Sequence, residues 1–251
     1  MHLSRSRNSP RRARALTVWV LTATLAALVS ISPGTAAPGG DPIVVPRTQA
    51  LGILLSSHVA MSAPDERSTA LQHVGARRPI TGERTVLPVI GFGLGADGLG
   101  WLQVLLPGRP NGHAGWIKRR STRVTLTSWH VVVDTSERRV TVYQQGRRVR
   151  VFKAVVGKAA TPTPRGKFFV EEGVRMRPGD VGAPFALALS ARSSVLRQFG
   201  GGPGQIALHG LTNIGGVLGS AVSHGCVRLA NVAIRWLAYH IGPGVPVTIE
   251  S

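Results

Sequence analysis

Cys226 is the single cysteine in this chain of 251 residues, and histidines lie close to it in the sequence. His224 lies two residues before it, in the run Ser223-His224-Gly225-Cys226-Val227-Arg228, and His209 lies seventeen residues before it. A thiol becomes nucleophilic when a base or a positive environment favours its thiolate form. This arrangement favours a cysteine nucleophile with a histidine base over the small buried hydrophobe that a lone cysteine usually is.

A metal site is the competing interpretation of the same residues. His209, His224 and Cys226 could supply three ligands, but no well-placed carboxylate completes the set that zinc requires. Gly225 fits catalysis better, because a glycine lets backbone N–H groups approach a substrate oxyanion. We therefore expect neither a metal nor a cofactor.

The elements around these residues are predicted to be mainly β strands. Glycine and proline number 31 and 17, which suits a turn-rich β architecture. His209 ends a predicted strand that begins at Gln205, and a strand end and a loop can bring its ring close to the Cys226 sulfur. One helix is predicted at 232–240, capped by Asn231 and followed by a final strand at 245–249.

The stretch His209-Gly210 followed by Ser223-His224-Gly225-Cys226-Val227-Arg228 resembles the active-site signature of YkuD-type L,D-transpeptidases. Pro162-Thr163-Pro164-Arg165-Gly166 and the ending at 242–249 also match, and the resemblance covers roughly residues 129–250. Leu211 is a departure, since the family often has threonine after His-Gly. The resemblance implies a β-sandwich catalytic domain, which we place at 123–251.

The resemblance also implies a reaction. Cys226 would attack the carbonyl after the third residue of a peptidoglycan stem tetrapeptide, releasing the terminal D-alanine and leaving a thioester. A side-chain amine of a neighbouring stem would then resolve the thioester and form a crosslink. Carbapenem-type β-lactams would be covalent inhibitors of such a site.

Each matching residue acquires a role from the resemblance. His209 would be the base, oriented by the Gly210 carbonyl, and the N–H groups of Gly225 and Cys226 would form the oxyanion hole. Ser223 and His224 would shape the turn, with proton transfer by His224 less expected and Ser223 also placed against the substrate. Arg228 would order the site or meet a substrate carboxylate, and a structural ion pair is an equal alternative.

Two other functions remain open from the sequence. With water as acceptor the same site would make an L,D-carboxypeptidase, or a papain-like wall endopeptidase, although the latter expects its histidine after its cysteine. A non-catalytic wall-binding protein is the third possibility, and the intact cysteine and histidine argue against it.

Residues 1–37 are predicted to be a secretory signal, or a retained membrane anchor. Five arginines precede an uncharged run at 15–31, and small residues follow it. The protein is thus expected at the cell wall or the extracytoplasmic face of the membrane. Its formal net charge of +19 favours anionic wall polymers over nucleic acid, which an exported protein rarely meets, or a solvated basic surface with no specific partner.

Residues 38–50 are predicted to be a linker, and residues 51–122 a small SH3-like barrel of short strands. This barrel contains no evident nucleophile, so it is expected to bind or position. A fragment of residues 124–251 is accordingly expected to react with a small β-lactam. The barrel's basic residues would favour an anionic surface: Arg77, Arg78, Arg84, Arg109, Lys118, Arg119 and Arg120.

Overall fold

Alternation of buried and exposed residues between frequent turns produces a mainly β structure, as predicted. The computed structural model describes residues 44–198 and 201–251. The predicted signal or anchor and residues 38–43 of the predicted linker lie outside these described residues. No helix in the described ranges has the length and apolarity that crossing a membrane requires.

The first sheet contains seven strands in the order β3-β2-β6-β5-β4-β1-β7. The strands are β1 (Gln49–Leu54), β2 (His58–Met61), β3 (Ala70–Val74), β4 (Val86–Leu94), β5 (Gly100–Leu105), β6 (Ala114–Lys118) and β7 (Thr122–Thr127). Leu54, Leu87, Leu102 and Ile117 are fully buried in its core. β7 pairs with β1 along its length, so this sheet extends to Thr127, past the predicted boundary at 122. Its assignment as an SH3-like barrel stays a prediction.

The second sheet contains nine strands in the order β14-β10-β15-β13-β12-β11-β16-β8-β9, and β9 also pairs with β10. Its first strands are β8 (Trp129–Asp134), β9 (Arg139–Gln144), β10 (Arg147–Gly157), β11 (Gly166–Arg175) and β12 (Phe185–Arg192). The others are β13 (Gln205–His209), β14 (Ala221–Ser223), β15 (Val227–Leu229) and β16 (Pro246–Glu250).

Two long strands turn the second sheet into two packed layers. β10 pairs first with β9 and then with β15 and β14, while β11 pairs first with β16 and then with β12. Valines from β8 and β9 and leucines from β12, β13 and β15 fill the core between the layers. The helix α1 (Asn231–His240) covers one side of this core through Ala233, Ile234 and Leu237.

The predicted cap of α1 is wrong. Ala230 occupies the N-cap position and makes no side-chain hydrogen bond to the helix. Asn231 is instead the first helical residue. Its Oδ1 accepts a hydrogen bond from the Leu211 N–H at 2.8 Å, and its Nδ2 donates to Thr212 Oγ1 at 2.9 Å. The asparagine therefore fastens the loop after His209 to the helix.

The two sheets belong to one compact unit that spans residues 43–251. Phe169 of β11 is 1% exposed and lies in the core of the first sheet, whereas its neighbour Phe168 lies in the core of the second. Arg78, in the loop before β4, forms ion pairs with Glu171 and Glu172 of β11. The first sheet is thus joined to the second by buried contacts.

Candidate active site

Two adjacent parallel strands bring the predicted nucleophile and base to the same face. β13 pairs with β15 so that Leu208 lies opposite Val227 and His209 lies opposite Arg228. Leu208 and Val227 are fully buried in the core, so alternation directs His209, Cys226 and Arg228 to the other side of the sheet. All three line one cavity of about 90 Å³.

The His209 ring is held in the orientation that the resemblance implies. Its Nδ1 lies 2.8 Å from the Gly210 carbonyl oxygen, and since a carbonyl only accepts, Nδ1 carries the proton and Nε2 has a free lone pair. Burial lowers the pKa of His209, and the nearby Arg228 lowers it further, against the opposing effect of the Gly210 carbonyl. The imidazole is therefore neutral at neutral pH and able to accept a proton.

Gly182 supports the ring and was not found by sequence reasoning. Its φ is +88°, and a Cβ at this position would lie 2.7 Å from His209 Nδ1. Its carbonyl accepts a hydrogen bond from the Gly210 N–H at 2.7 Å, and its N–H donates to the Thr212 carbonyl at 2.8 Å. Only the absence of a side chain lets the 176–184 loop approach His209 so closely, and no sequence spacing links these residues.

The Cys226 thiol is also uncharged in this environment. Burial raises its pKa, while a hydrogen bond from the Ala207 backbone and the positive charge of Arg228 lower it in part. Its Sγ lies 3.9 Å from the Gln205 carbonyl oxygen, to which the thiol donates. A neutral thiol and a neutral imidazole require proton transfer during attack, rather than a preformed ion pair.

The Ser223 hydroxyl is hydrogen-bonded within the turn before Cys226. The Ser223 side chain is fully buried, and its Oγ accepts from the Gly225 N–H at 3.1 Å and donates to the Cys226 carbonyl at 2.6 Å. The predicted contact of Ser223 with the substrate stays a prediction, and it would require this hydroxyl to leave the turn. The Gly225 N–H, predicted to serve the oxyanion hole, donates to this hydroxyl in the described conformation.

Two threonines of the 161–166 loop donate hydrogen bonds to the backbone of the same turn. Thr161 Oγ1 donates to the Ser223 carbonyl at 3.2 Å, and Thr163 Oγ1 donates to the Gly225 carbonyl at 2.8 Å. Gly225 has a φ of +120°, and a Cβ there would lie 3.0 Å from Ile206 Cδ1. The proline-rich loop thus stabilises the turn that carries Cys226.

Arg228 supplies the positive charge of the cavity. Its guanidinium donates a short hydrogen bond to the Gly215 carbonyl, and its side chain is only 7% exposed. No ion pair to Arg228 is found in the described residues, so ordering of the site fits better than the structural ion pair. His224 is exposed and lies on the rim of the same cavity.

The described residues contain no group of three or more His, Cys, Asp or Glu side chains that could hold a metal ion. What the geometry offers is a partly buried thiol, a neutral base and a fixed cation in one cleft. This set of groups is suited to nucleophilic acyl transfer.

Comparisons with known proteins agree with this class of site. Residues 128–249 match the model of the YkuD family, the L,D-transpeptidase catalytic domain, and this confirms the resemblance carried by residues 209–228. The YkuD proteins of Bacillus subtilis and Bacillus licheniformis are 31% and 32% identical over 122 and 121 residues, 49% and 48% of this chain. The chain spans 66% and 65% of the length of these curated relatives.

Solved structures of L,D-transpeptidases are also similar to this chain. L,D-transpeptidase 3 from Mycobacterium tuberculosis, in complex with a faropenem-derived adduct, is 16% identical with a TM-score of 0.41. The match covers 61% of this chain and 91% of that one.

Proposed function

We propose that this protein is a peptidoglycan L,D-transpeptidase that works through a thioester on Cys226. The observation that supports this most is the meeting of Cys226 and a neutral His209 in one cavity of an L,D-transpeptidase catalytic domain. The substrate would be a stem tetrapeptide, since this is what the family resemblance implies.

Acylation would start with the neutral pair. His209 Nε2 accepts the thiol proton while Cys226 Sγ bonds to the carbonyl carbon of the third stem residue. When the tetrahedral intermediate collapses, the C–N bond to the terminal D-alanine breaks. His209 returns the proton to the leaving amine, and the acyl group stays on sulfur as a thioester.

Deacylation would reverse these roles. The acceptor amine of a neighbouring stem attacks the thioester carbon, and His209 takes a proton from it. The C–S bond then breaks, and the proton returns to the sulfur. Arg228 stabilises the negative charge that develops on sulfur in both steps, because its guanidinium is fixed beside the cavity.

The test combines a covalent probe with a donor peptide. Wild-type protein and the Cys226→Ala variant are exposed to a carbapenem and to a disaccharide–tetrapeptide, and both are followed by intact mass spectrometry. We expect an adduct and a crosslinked dimer only with the wild type, while the variant keeps its circular dichroism spectrum. A tripeptide product without a dimer would identify a carboxypeptidase, and adduct formation by the alanine variant would exclude this mechanism.

We also propose that the protein is exported and acts on the wall outside the cytoplasmic membrane. The basic start of the chain followed by an uncharged run supports this. Anionic wall polymers are proposed as a further partner because of the positive net charge.

A further inference from the structure

One wall of the Cys226 cavity is formed by residues of the ranges 193–198 and 201–204, between β12 and β13. Ser193, Leu196 and Gly204 belong to this wall and line the cavity together with Cys226. The wall is partly held from within, since Ser193 Oγ accepts from the Leu196 N–H at 2.9 Å and the Ser193 N–H donates to the Gly204 carbonyl at 2.8 Å. Arg192 and Gln205 form the last pair between β12 and β13, so the wall lies beyond the end of this strand pairing.

Three carbonyl oxygens of this wall converge on a single side chain of the first sheet. Arg109 donates to the Ser193 carbonyl at 2.8 Å, the Pro203 carbonyl at 3.0 Å and the Leu196 carbonyl at 3.4 Å. Converging carbonyl oxygens repel one another unless a donor lies between them, and a guanidinium offers five N–H groups in one plane. Arg109 therefore supplies these three carbonyl oxygens with hydrogen-bond donors that the backbone of the wall does not provide.

The loop that carries Arg109 is itself fixed to the second sheet. Asn111 Nδ2 donates to the Arg192 carbonyl, and the Arg192 N–H donates to Asn111 Oδ1, both at 2.8 Å. The Gly108 N–H donates to the Ser190 carbonyl at 3.2 Å. This loop connects β5 to β6, so the first sheet presents Arg109 to the cavity wall at a defined position.

We propose that Arg109 is a positioning residue for the Cys226 cleft. Through Ser193, Leu196 and Pro203 it fixes the wall against which a donor stem peptide would lie, so the first sheet contributes to substrate fit. This inference rests on the proposed function, because it names the donor peptide as the molecule that needs the wall. His209 is the last residue of β13 and Cys226 immediately precedes β15, and neither residue contacts Arg109, so their chemistry does not depend on it.

The experiment compares Arg109→Ala, Arg109→Lys and the matched control Arg84→Ala. Arg84 also donates its guanidinium to two carbonyls, those of Leu54 and Leu55, but these lie within the first sheet and away from the cavity. The control thus shows how far kcat/KM and amide exchange change when arginine–carbonyl hydrogen bonds are lost away from the cavity. Lysine keeps the charge of Arg109 but lacks the planar fork, so it should rescue little.

We expect Arg109→Ala to lower kcat/KM for the tetrapeptide donor about 10- to 100-fold, the range that misplacement of a substrate produces. The rate at which iodoacetamide alkylates Cys226, and the pH profile of that rate, should stay at wild-type values. Amide hydrogen exchange should become faster at Val195, Leu196, Gly204 and Gln205. Arg84→Ala should change neither the kinetics nor this exchange.

Unchanged exchange at these four amides in Arg109→Ala would overturn the inference, as would kinetics equal to those of Arg84→Ala. An altered alkylation profile would also overturn it, since Arg109 would then act on the reacting groups. If the wild-type protein turns over no donor, the proposed function fails. The exchange comparison still decides whether Arg109 positions the wall.

Discussion

At the scale of single residues, the reacting pair is uncharged before substrate arrives. Burial disfavours the charged form of each group, so it lowers the pKa of His209 and raises that of Cys226. Arg228 stabilises the thiolate but opposes the imidazolium. The site thus contains no Cys226–His209 ion pair, and the proposed reaction depends on the base form of His209.

The pH dependence of acylation follows from the direction of these shifts. The base form of His209 is present above its pKa, which lies below the ordinary 6.5. Acylation by a β-lactam should therefore rise with pH only below 6.5 and stay level through neutral pH. Stopped-flow absorbance between pH 5 and 8 measures this, and a rise continuing to pH 8 would indicate that thiol ionisation limits the rate instead.

The two histidines of the cavity can be separated by matched substitutions. His209→Gln should slow acylation by roughly 10²- to 10⁴-fold, the usual contribution of a positioned general base. His224→Gln, on the exposed rim, should keep most of the rate. The same stopped-flow measurement applies to both variants, and the opposite order of effects would assign the base to His224.

Ser223 gives a further test at this scale. Ser223→Ala removes a buried hydroxyl that bonds two backbone groups of the turn, at a cost of about 1–3 kcal/mol in the free energy of unfolding. Ser220→Ala is the control, because the buried Ser220 hydroxyl has no hydrogen-bond partner within the described residues. Chemical denaturation compares the two variants. A higher KM for Ser223→Ala with unchanged stability would instead support the predicted contact of Ser223 with the substrate.

At the scale of elements, the sequence indicated the strands of the site better than its supports. Cys226, His209 and the strand at 205–208 stand out because local motif and periodicity carry them. The bracing by Thr161 and Thr163 and the close approach of Gly182 depend on chain segments that meet only in the fold. Asn231 departs from its predicted role as a helix cap for the same reason, since its side chain bonds the loop after His209 instead.

The buried acids of β11 could not be predicted either. Glu171 and Glu172 are each 1% exposed in a strand, which alternation alone would not indicate. A register shift between Val170 and Glu172 directs both toward Arg78, and Arg192 also pairs with Glu171 at 2.9 Å. Their partners lie in other elements, so only the packing of the two sheets explains them.

His130 of β8 makes the stability of the second sheet depend on pH. Its Nε2 lies 2.9 Å from Thr248 Oγ1 on β16, and burial, with a smaller effect of Lys167, lowers its pKa to about 4. The unfolded chain binds a proton near pH 6.5, so stability is lost as pH falls from 6.5 toward 4. The difference between the two pKa values corresponds to about 3 kcal/mol in the free energy of unfolding.

Denaturation at pH 7 and pH 4.5 tests this contribution. The loss of stability between the two pH values should be smaller in His130→Gln than in the wild type, since the titrating group is gone. The exposed His73→Gln is the control and should keep the wild-type loss. An equal loss in all three proteins would show that other groups dominate.

At the scale of the whole molecule, the first sheet is more than an attached module. Phe169 fills its core from β11, and Arg78 compensates Glu171 and Glu172 inside the second sheet. Removing residues 44–123 would expose the phenylalanine and leave buried carboxylates with one fewer cation. Breaking a buried ion pair alone costs about 3–5 kcal/mol.

These contacts change the expectation for a fragment of residues 124–251. The sequence suggested that it would react with a small β-lactam by itself, whereas the shared core leads us to expect a fragment without cooperative thermal unfolding. Circular dichroism melts of the fragment and of residues 44–251 compare the two. A cooperative melt of the fragment at the same temperature would show that the second sheet is independent.

The exposed basic side chains of the fold differ from those that the sequence predicts to face an anionic polymer. Five of the seven basic side chains predicted to face an anionic polymer have partners inside the protein: Arg77, Arg78, Arg84, Arg109 and Lys118. The hairpin of β9 and β10 instead carries exposed Arg147, Arg148, Arg150 and Lys153. Attraction to an anionic wall polymer should therefore depend on this hairpin more than on the first sheet.

Sedimentation with purified wall tests this assignment. Binding of the wild type should weaken as added salt shortens the screening length from ~8 Å to ~3 Å. Replacing Arg147, Arg148 and Lys153 by glutamine should weaken it further at low salt and flatten its salt dependence, while Arg150 is retained because it lies 5.5 Å over the Trp236 ring. The matched control replaces Arg119, Arg120 and Arg123, three exposed arginines outside the hairpin, and should bind nearly as the wild type does. Equal, salt-insensitive binding of all three proteins would mean that charge does not hold this protein on the wall.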